Sequence, residues 1–168
     1  ASSNLDLASP KGTGITDIYR HTLSSAVTEL VSVDLASAGA NGPSSDASVS
    51  ANGRYVWFKS RAQNLVAPPP AAAGQLFRRD MSSSTVIGAS NGPEEVFLPR
   101  SSDDGQSACF QTAGALESAD SNGHFDVYLV NVGNGVLVRQ SVADSVIPSP
   151  YGARDTGLGD LTPGLDKI

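Results

Sequence analysis

Three features of the sequence predict an all-β fold built from repeated four-stranded antiparallel sheets. β-Branched and aromatic residues cluster in short runs broken by Gly, Asn, Pro and Ser, with no sustained helical period. Asn52-Gly53 and Asp104-Gly105 each lie between alternating apolar runs, the strongest local signal for a hairpin. The segments around those turns then recur along the chain.

Taken in order, strands are expected at 16–23, 27–33, 47–50, 54–60, 75–81, 85–89, 95–98, 107–112, 125–132 and 136–142. Short polar connections at 23–26, 82–84 and 133–135 join antiparallel neighbours. At Asn52-Gly53 the spacing predicts a type I′ turn, because both residues tolerate positive φ. Asp17-Ile18-Tyr19, Gln75-Leu76-Phe77 and Asp126-Val127-Tyr128 stand at one repeat position, preceded by Asn4-Leu5, Asn64-Leu65 and Ala115-Leu116. Gly53 and Gly105 are 52 residues apart, and Phe77 and Tyr128 are 51 apart. A period of about 50 residues holding four short strands is the sequence form of a propeller blade.

The run V-S-A-N-G-R-Y-V-W-F-K-S-R-A-Q-N-L-V resembles the TolB-like, WD-like propeller repeats of bacterial envelope and secreted proteins. A-C-F-Q-T-A-G-A-L-E-S-A-D-S-N-G-H-F-D-V-Y-L is similar to the second half of that repeat. The likeness runs from about Ser3 to Val142; the central copy departs from it, with A-P-P-P-A-A-A-G at 67–74 and Gln75 in place of aspartate. In the family's order the chain divides into an outer half-blade (1–45), one blade (46–93) and a second blade (94–142), followed by an extended tail or linker (143–168). About 2.5 blades form an incomplete ring, since propellers have about 4–8. The chain is therefore expected to be a fragment of a larger propeller or an oligomer that completes the ring, with residues 145–147 able to lend a strand to a neighbour.

Composition narrows the function. The 168 residues carry a net charge of −6, which disfavours a nucleic-acid partner, and the adjacent pair Arg78-Arg79 is expected on a solvated strand face. No apolar run is long enough for a membrane span. The single Cys109 sits beside Ala108 and Phe110 as a buried small hydrophobe. Trp57, Phe58, Phe77, Phe97, Phe110 and Tyr128 recur at repeat positions and are expected to pack between blades.

One loop has the composition of a metal site. Asp120, Asn122 and Asp126 are spaced D-x-N-x-x-x-D around Gly123, and clustered carboxylate and amide oxygens on a tight loop suit calcium. The same residues also suit an Asx-type turn at Asn122-Gly123 with Asp126 bonded into the loop. Beyond calcium no cofactor is expected. Gly88-Ala89-Ser90-Asn91-Gly92 matches G-x-S-x-G, but the strand–turn–helix setting of a nucleophile elbow is missing. Asp103-Asp104 at a hairpin tip should be solvated, and His21 and His124 occupy unequal repeat positions. No catalytic constellation is expected. The resemblance implies a non-enzymatic binding or scaffold module, periplasmic or extracellular, presenting loops to a protein or glycan partner. Two alternatives are the propeller portion of a larger secreted hydrolase or lyase, and a structural subunit self-associating through open blade edges.

Overall fold

The computed structural model describes residues 15–142. Their ten strands are β1 (Tyr19–Thr22), β2 (Val27–Leu30), β3 (Ser44–Val49), β4 (Tyr55–Ser60), β5 (Gln75–Asp80), β6 (Thr85–Gly88), β7 (Val96–Ser101), β8 (Ser107–Thr112), β9 (Asp126–Asn131) and β10 (Val136–Arg139). They form a two-stranded sheet, β1-β2, and two four-stranded antiparallel sheets, β3-β4-β5-β6 and β7-β8-β9-β10. There is no helix among the described residues. The chain is thus all-β and built of propeller-type sheets that do not close a ring within the described residues. The expected tail at 143–168, the strand at 145–147 and the segment containing Asn4-Leu5 lie outside those residues.

The repeat is legible down to single dihedrals. In the first four-stranded sheet the Gly53 N–H bonds to Ser50 O and Asn52 Oδ1 accepts from the Arg54 N–H; Ser102, Gly105, Asp104 and Gln106 make the same bonds 52 residues on. Only the glycines have positive φ, at 71° for Gly53 and 70° for Gly105. The expected type I′ turn is therefore corrected. Asn52 keeps negative φ because its side chain already satisfies the backbone ahead of it, leaving Gly53 alone to turn left-handed, as in a type I turn closed by a glycine bulge. Both first strands also bulge at equivalent places, between Ser45 and Ser48 and between Phe97 and Arg100, with Asp46 at φ 53° and Leu98 at φ 50°.

Two apolar clusters hold the three sheets together. Val56, Phe58 and Phe77 pack back toward the two-stranded sheet with Val31, Ala40, Ala62 and Leu65. From the opposite face of the same strands, Trp57 and Leu76 pack forward with Val96, Ala108, Phe110, Tyr128 and Val130. All six residues of β4 are consequently buried, and the alternation of a half-exposed strand disappears. In β9, with one face covered, alternation persists: Asp126, Tyr128 and Val130 are buried and the residues between them are half-exposed.

Arg78 and Arg79 correct the expected solvated pair. Neighbouring strand residues point to opposite faces, so each guanidinium enters a different interface. Arg78 Nη1 donates to Gly105 O (3.1 Å) and its guanidinium lies 4.5 Å from the Tyr55 ring centroid, while Arg79 Nη1 donates to Val31 O (3.3 Å). Burial pulls the pKa of both below the ordinary arginine value.

Candidate functional site

The richest polar cluster surrounds the loop that sequence reading marked for a metal. β9 begins at Asp126, whose carboxylate faces Asn122, Ser141 and the incoming Arg139. Asn122 Nδ2 donates to Asp126 Oδ2 (3.0 Å), and Asn122 Oδ1 accepts from the His124 N–H (2.8 Å). The Tyr128 hydroxyl donates to Asp120 Oδ2, and the Ser141 hydroxyl to Asp126 Oδ1. Arg139 Nη1 stands 3.3 Å from Asp120 Oδ1 and 3.6 Å from Asp126 Oδ2, with Arg139 Nε 3.2 Å from Glu117 Oε1. Asp120, Asn122 and Asp126 therefore do come together. Burial, and then donation to the Asp120 carboxylate, push the Tyr128 hydroxyl up to about 12.

A calcium ion needs about 6–8 oxygens turned toward one point. Here the cation between the carboxylates is the Arg139 guanidinium, Asn122 offers its amide N–H₂ to Asp126, and two hydroxyls donate into the remaining lone pairs. These groups do not fit calcium unless Arg139 is displaced. The Asx-turn geometry expected at Asn122-Gly123 accounts for the loop: Gly123 has φ 66°.

Asp126 also belongs to a device that occurs three times. Ser32 Oγ donates to Asp17 Oδ1 (2.5 Å), Ser90 Oγ to Gln75 Oε1 (2.8 Å) and Ser141 Oγ to Asp126 Oδ1. Each serine accepts a backbone N–H in turn, from Ile18, Leu76 and Val127. The clasp ties the end of each outer hairpin back to the start of that hairpin. Where Gln75 replaces aspartate, the amide does the same work with both ends, accepting from the Gly92 N–H (2.9 Å) and donating to Glu94 O (3.0 Å).

That clasp holds the serine of the G-x-S-x-G motif in a structural role. Ser90 is buried and donates to the Gln75 amide oxygen, with no hydrogen bond to a base among the described residues. The remaining expected chemical groups are also in structural roles. Asp104 Oδ1 accepts from Ser102 Oγ (2.6 Å), which lowers its pKa, and Asp103 O accepts from the Ala51 N–H across the sheet interface (3.0 Å). His21 Nδ1 meets Thr28 Oγ1 at 2.8 Å on an exposed face. Burial raises the Cys109 thiol pKa, away from reactivity. Trp57, Phe58, Phe77, Phe110 and Tyr128 are core residues, whereas Phe97 is half-exposed, edge-on to Phe125 and 4.1 Å from Lys59 Nζ.

Sequence reading missed Arg139, the residue that completes the cluster. The signal was present: the repeat places Leu30, Gly88 and Arg139 at one register position, opposite Tyr19, Phe77 and Tyr128. A lone charge where the other copies carry an aliphatic residue and a glycine marks an ion pair that only the third unit makes.

Fold and site together define an incomplete propeller-type chain whose polar clusters brace its sheets. No protein-family model and no curated protein matches it. Among solved structures it is similar to TolB from Acinetobacter baumannii, at 22% identity and TM-score 0.46, over 77% of this chain and 27% of that one. It is also similar to a putative TolB from Agrobacterium tumefaciens, at 21% identity and TM-score 0.47, over 73% of this chain and 40% of that one. The chain thus spans well under half the length of the structures it matches. No helix among the described residues is long and apolar enough to cross a membrane.

Proposed function

We propose that this chain is a non-enzymatic binding or scaffold module that meets a protein or glycan partner through its loops and sheet faces, outside the cytoplasm. The observation that carries the reading is the use of the polar groups. The Asp120–Asp126 cluster, Ser90 and Asp104 each make hydrogen bonds to partners within the fold. Apolar surface, by contrast, stays uncovered on the last sheet, where Val136 and Val138 are each 41% exposed beside half-exposed Val127 and Leu129. Self-association through that sheet is the second reading, favoured by the same face. Panels of envelope proteins and glycans, measured by biolayer interferometry beside ester and glycoside turnover assays, test the first reading. Saturable binding without turnover supports it; turnover lost on substituting Ser90 or Asp126 would sink it. Molar mass by light scattering separates the second.

A further inference from the structure

The sequence holds five Asn-Gly pairs, at 41–42, 52–53, 91–92, 122–123 and 134–135. Such an asparagine can react with its own backbone, because the following nitrogen reaches the side-chain amide carbon and glycine carries no side chain to obstruct it. The reaction needs a glycine N–H without an acceptor, room for the peptide to turn, and a side-chain nitrogen free to leave. Four of the pairs fail one of these conditions. The Gly53 N–H is bonded to Ser50 O (2.9 Å) and the Gly92 N–H to Gln75 Oε1 (2.9 Å). Gly42 is buried so closely that a Cβ there would meet Ala62 N at 2.8 Å. At Asn122 the nitrogen that would leave is held by Asp126 Oδ2 (3.0 Å).

Asn134-Gly135 meets all three conditions. It forms the tip of the β9–β10 hairpin, where residues 133–136 are exposed. The Gly135 N–H has no acceptor among the described residues, and the space where a side chain would stand is open. Asn134 Nδ2 makes no hydrogen bond among those residues, while Asn134 Oδ1 accepts from the Val136 N–H (3.1 Å). That donor is placed to take the charge that develops on the oxygen as the carbon is attacked. The exposure belongs to the turn itself: the matching tip at 82–84 is exposed although its sheet is covered on both faces.

We propose that Asn134 is a self-modification site, at which the folded chain converts one of its own amides to a carboxylate without an enzyme. Hydroxide takes the Gly135 N–H proton, and the nitrogen bonds to Asn134 Cγ. The Cγ–Nδ2 bond breaks, and the nitrogen leaves as ammonia with a proton from water. A second water opens the resulting cyclic imide at either carbonyl, leaving aspartate or its β-linked isomer. The hairpin tip thereby gains a negative charge, and the isomer adds a methylene to the backbone just ahead of the Val136–Asn131 pair.

Incubation of the full chain in mildly alkaline buffer, with and without urea, tests this by electron-transfer peptide mapping. In the folded chain Asn134 should convert first, about tenfold faster than Asn52 or Asn91, whose glycines must each break a hydrogen bond before reacting. In urea the lead over Asn52 and Asn122 should vanish. A chain carrying Asn134→Gln should lose the early acidic species on ion exchange, because the longer side chain no longer closes the same ring. Another Asn-Gly pair leading in the folded chain, an undiminished lead in urea, or Asn134 intact once the unfolded chain has converted, overturns the proposal.

Discussion

The first and second four-stranded sheets share strand order, turn chemistry and bulge positions, yet they are stabilised differently. The β3–β6 sheet is sandwiched and uses its forward face for Trp57, Leu76 and Arg78. The β7–β10 sheet carries Cys109, Val127 and Leu129 at those positions. The ion pair of the first sheet joins Arg54 to Asp80 with hydrogen bonds of 2.9 and 2.7 Å; at the same places the second has Gln106 and Asn131, which are uncharged. The second sheet instead has Tyr128 and the Arg139 cluster, where the first has Phe77 and Gly88. A repeat can therefore keep one backbone while exchanging the chemistry that fastens it, and the exchange follows which faces have neighbours.

The largest test of this contrast is truncation at equivalent positions. Trp57→Ala should cost about 3–5 kcal/mol in urea unfolding, since it removes a fully buried ring and its bond to Gly105 O. Cys109→Ala, 52 residues on, should cost only about 1 kcal/mol because little packed volume is lost. Similar costs at the two sites would refute the asymmetry.

Acid and alkali should then separate the sheets. Two hydrogen bonds from Arg54 hold the Asp80 carboxyl well below the ordinary range. This contribution is complete above the unfolded carboxylate pKa of about 4 and is lost as pH falls through the depressed folded value. Tyr128, raised to about 12, acts in the opposite sense: its contribution is whole below pH about 10 and lost as pH rises toward 12. Unfolding midpoints measured across pH should show Asp80→Asn flattening only the acid limb and Tyr128→Phe only the alkaline limb. One substitution altering both limbs would mean that the two fastenings are coupled.

The outer turns sharpen the comparison on a finer scale. Ser84 has φ 57° where Gly135 has φ 71°. Gly135→Ala should cost about 1–2 kcal/mol by forcing a side chain into the left-handed region. Ser84→Gly should gain about 0.5 kcal/mol, relief of strain being partly offset by chain entropy. Both are readable as shifts in thermal midpoint. The smallest expected effect is none at all: millimolar calcium should leave the midpoint unchanged while Arg139 occupies the space between Asp120 and Asp126. A rise with calcium would show the guanidinium yielding to the metal.

The strands were legible because each combines an apolar run with a turn signal, and the repeat exposed itself through Gly53 and Gly105. Less could be read at the first strand of each sheet. β3 starts at Ser44, three residues before the apolar pattern, because Ser44 and Ser45 pair through backbone groups with Ser60 and Lys59 and need no side-chain signal. β7 continues past Pro99 for a related reason, the bulge freeing that position from the regular ladder. The fate of Arg79 was hidden because a charge at the surface and one reaching a buried carbonyl look alike in sequence. At the loop of Asp120, residue types predicted the gathering of oxygens correctly but were silent on the cation, which arrives from a distant strand.

The paired kinks at Asp46 and Leu98 bear on behaviour in concentrated solution. Along each inner border they throw donors and acceptors out of step, and at Pro99 one donor is gone altogether. A stray extended segment meets an irregular template there, the kind of bulged border that disfavours edge-to-edge growth.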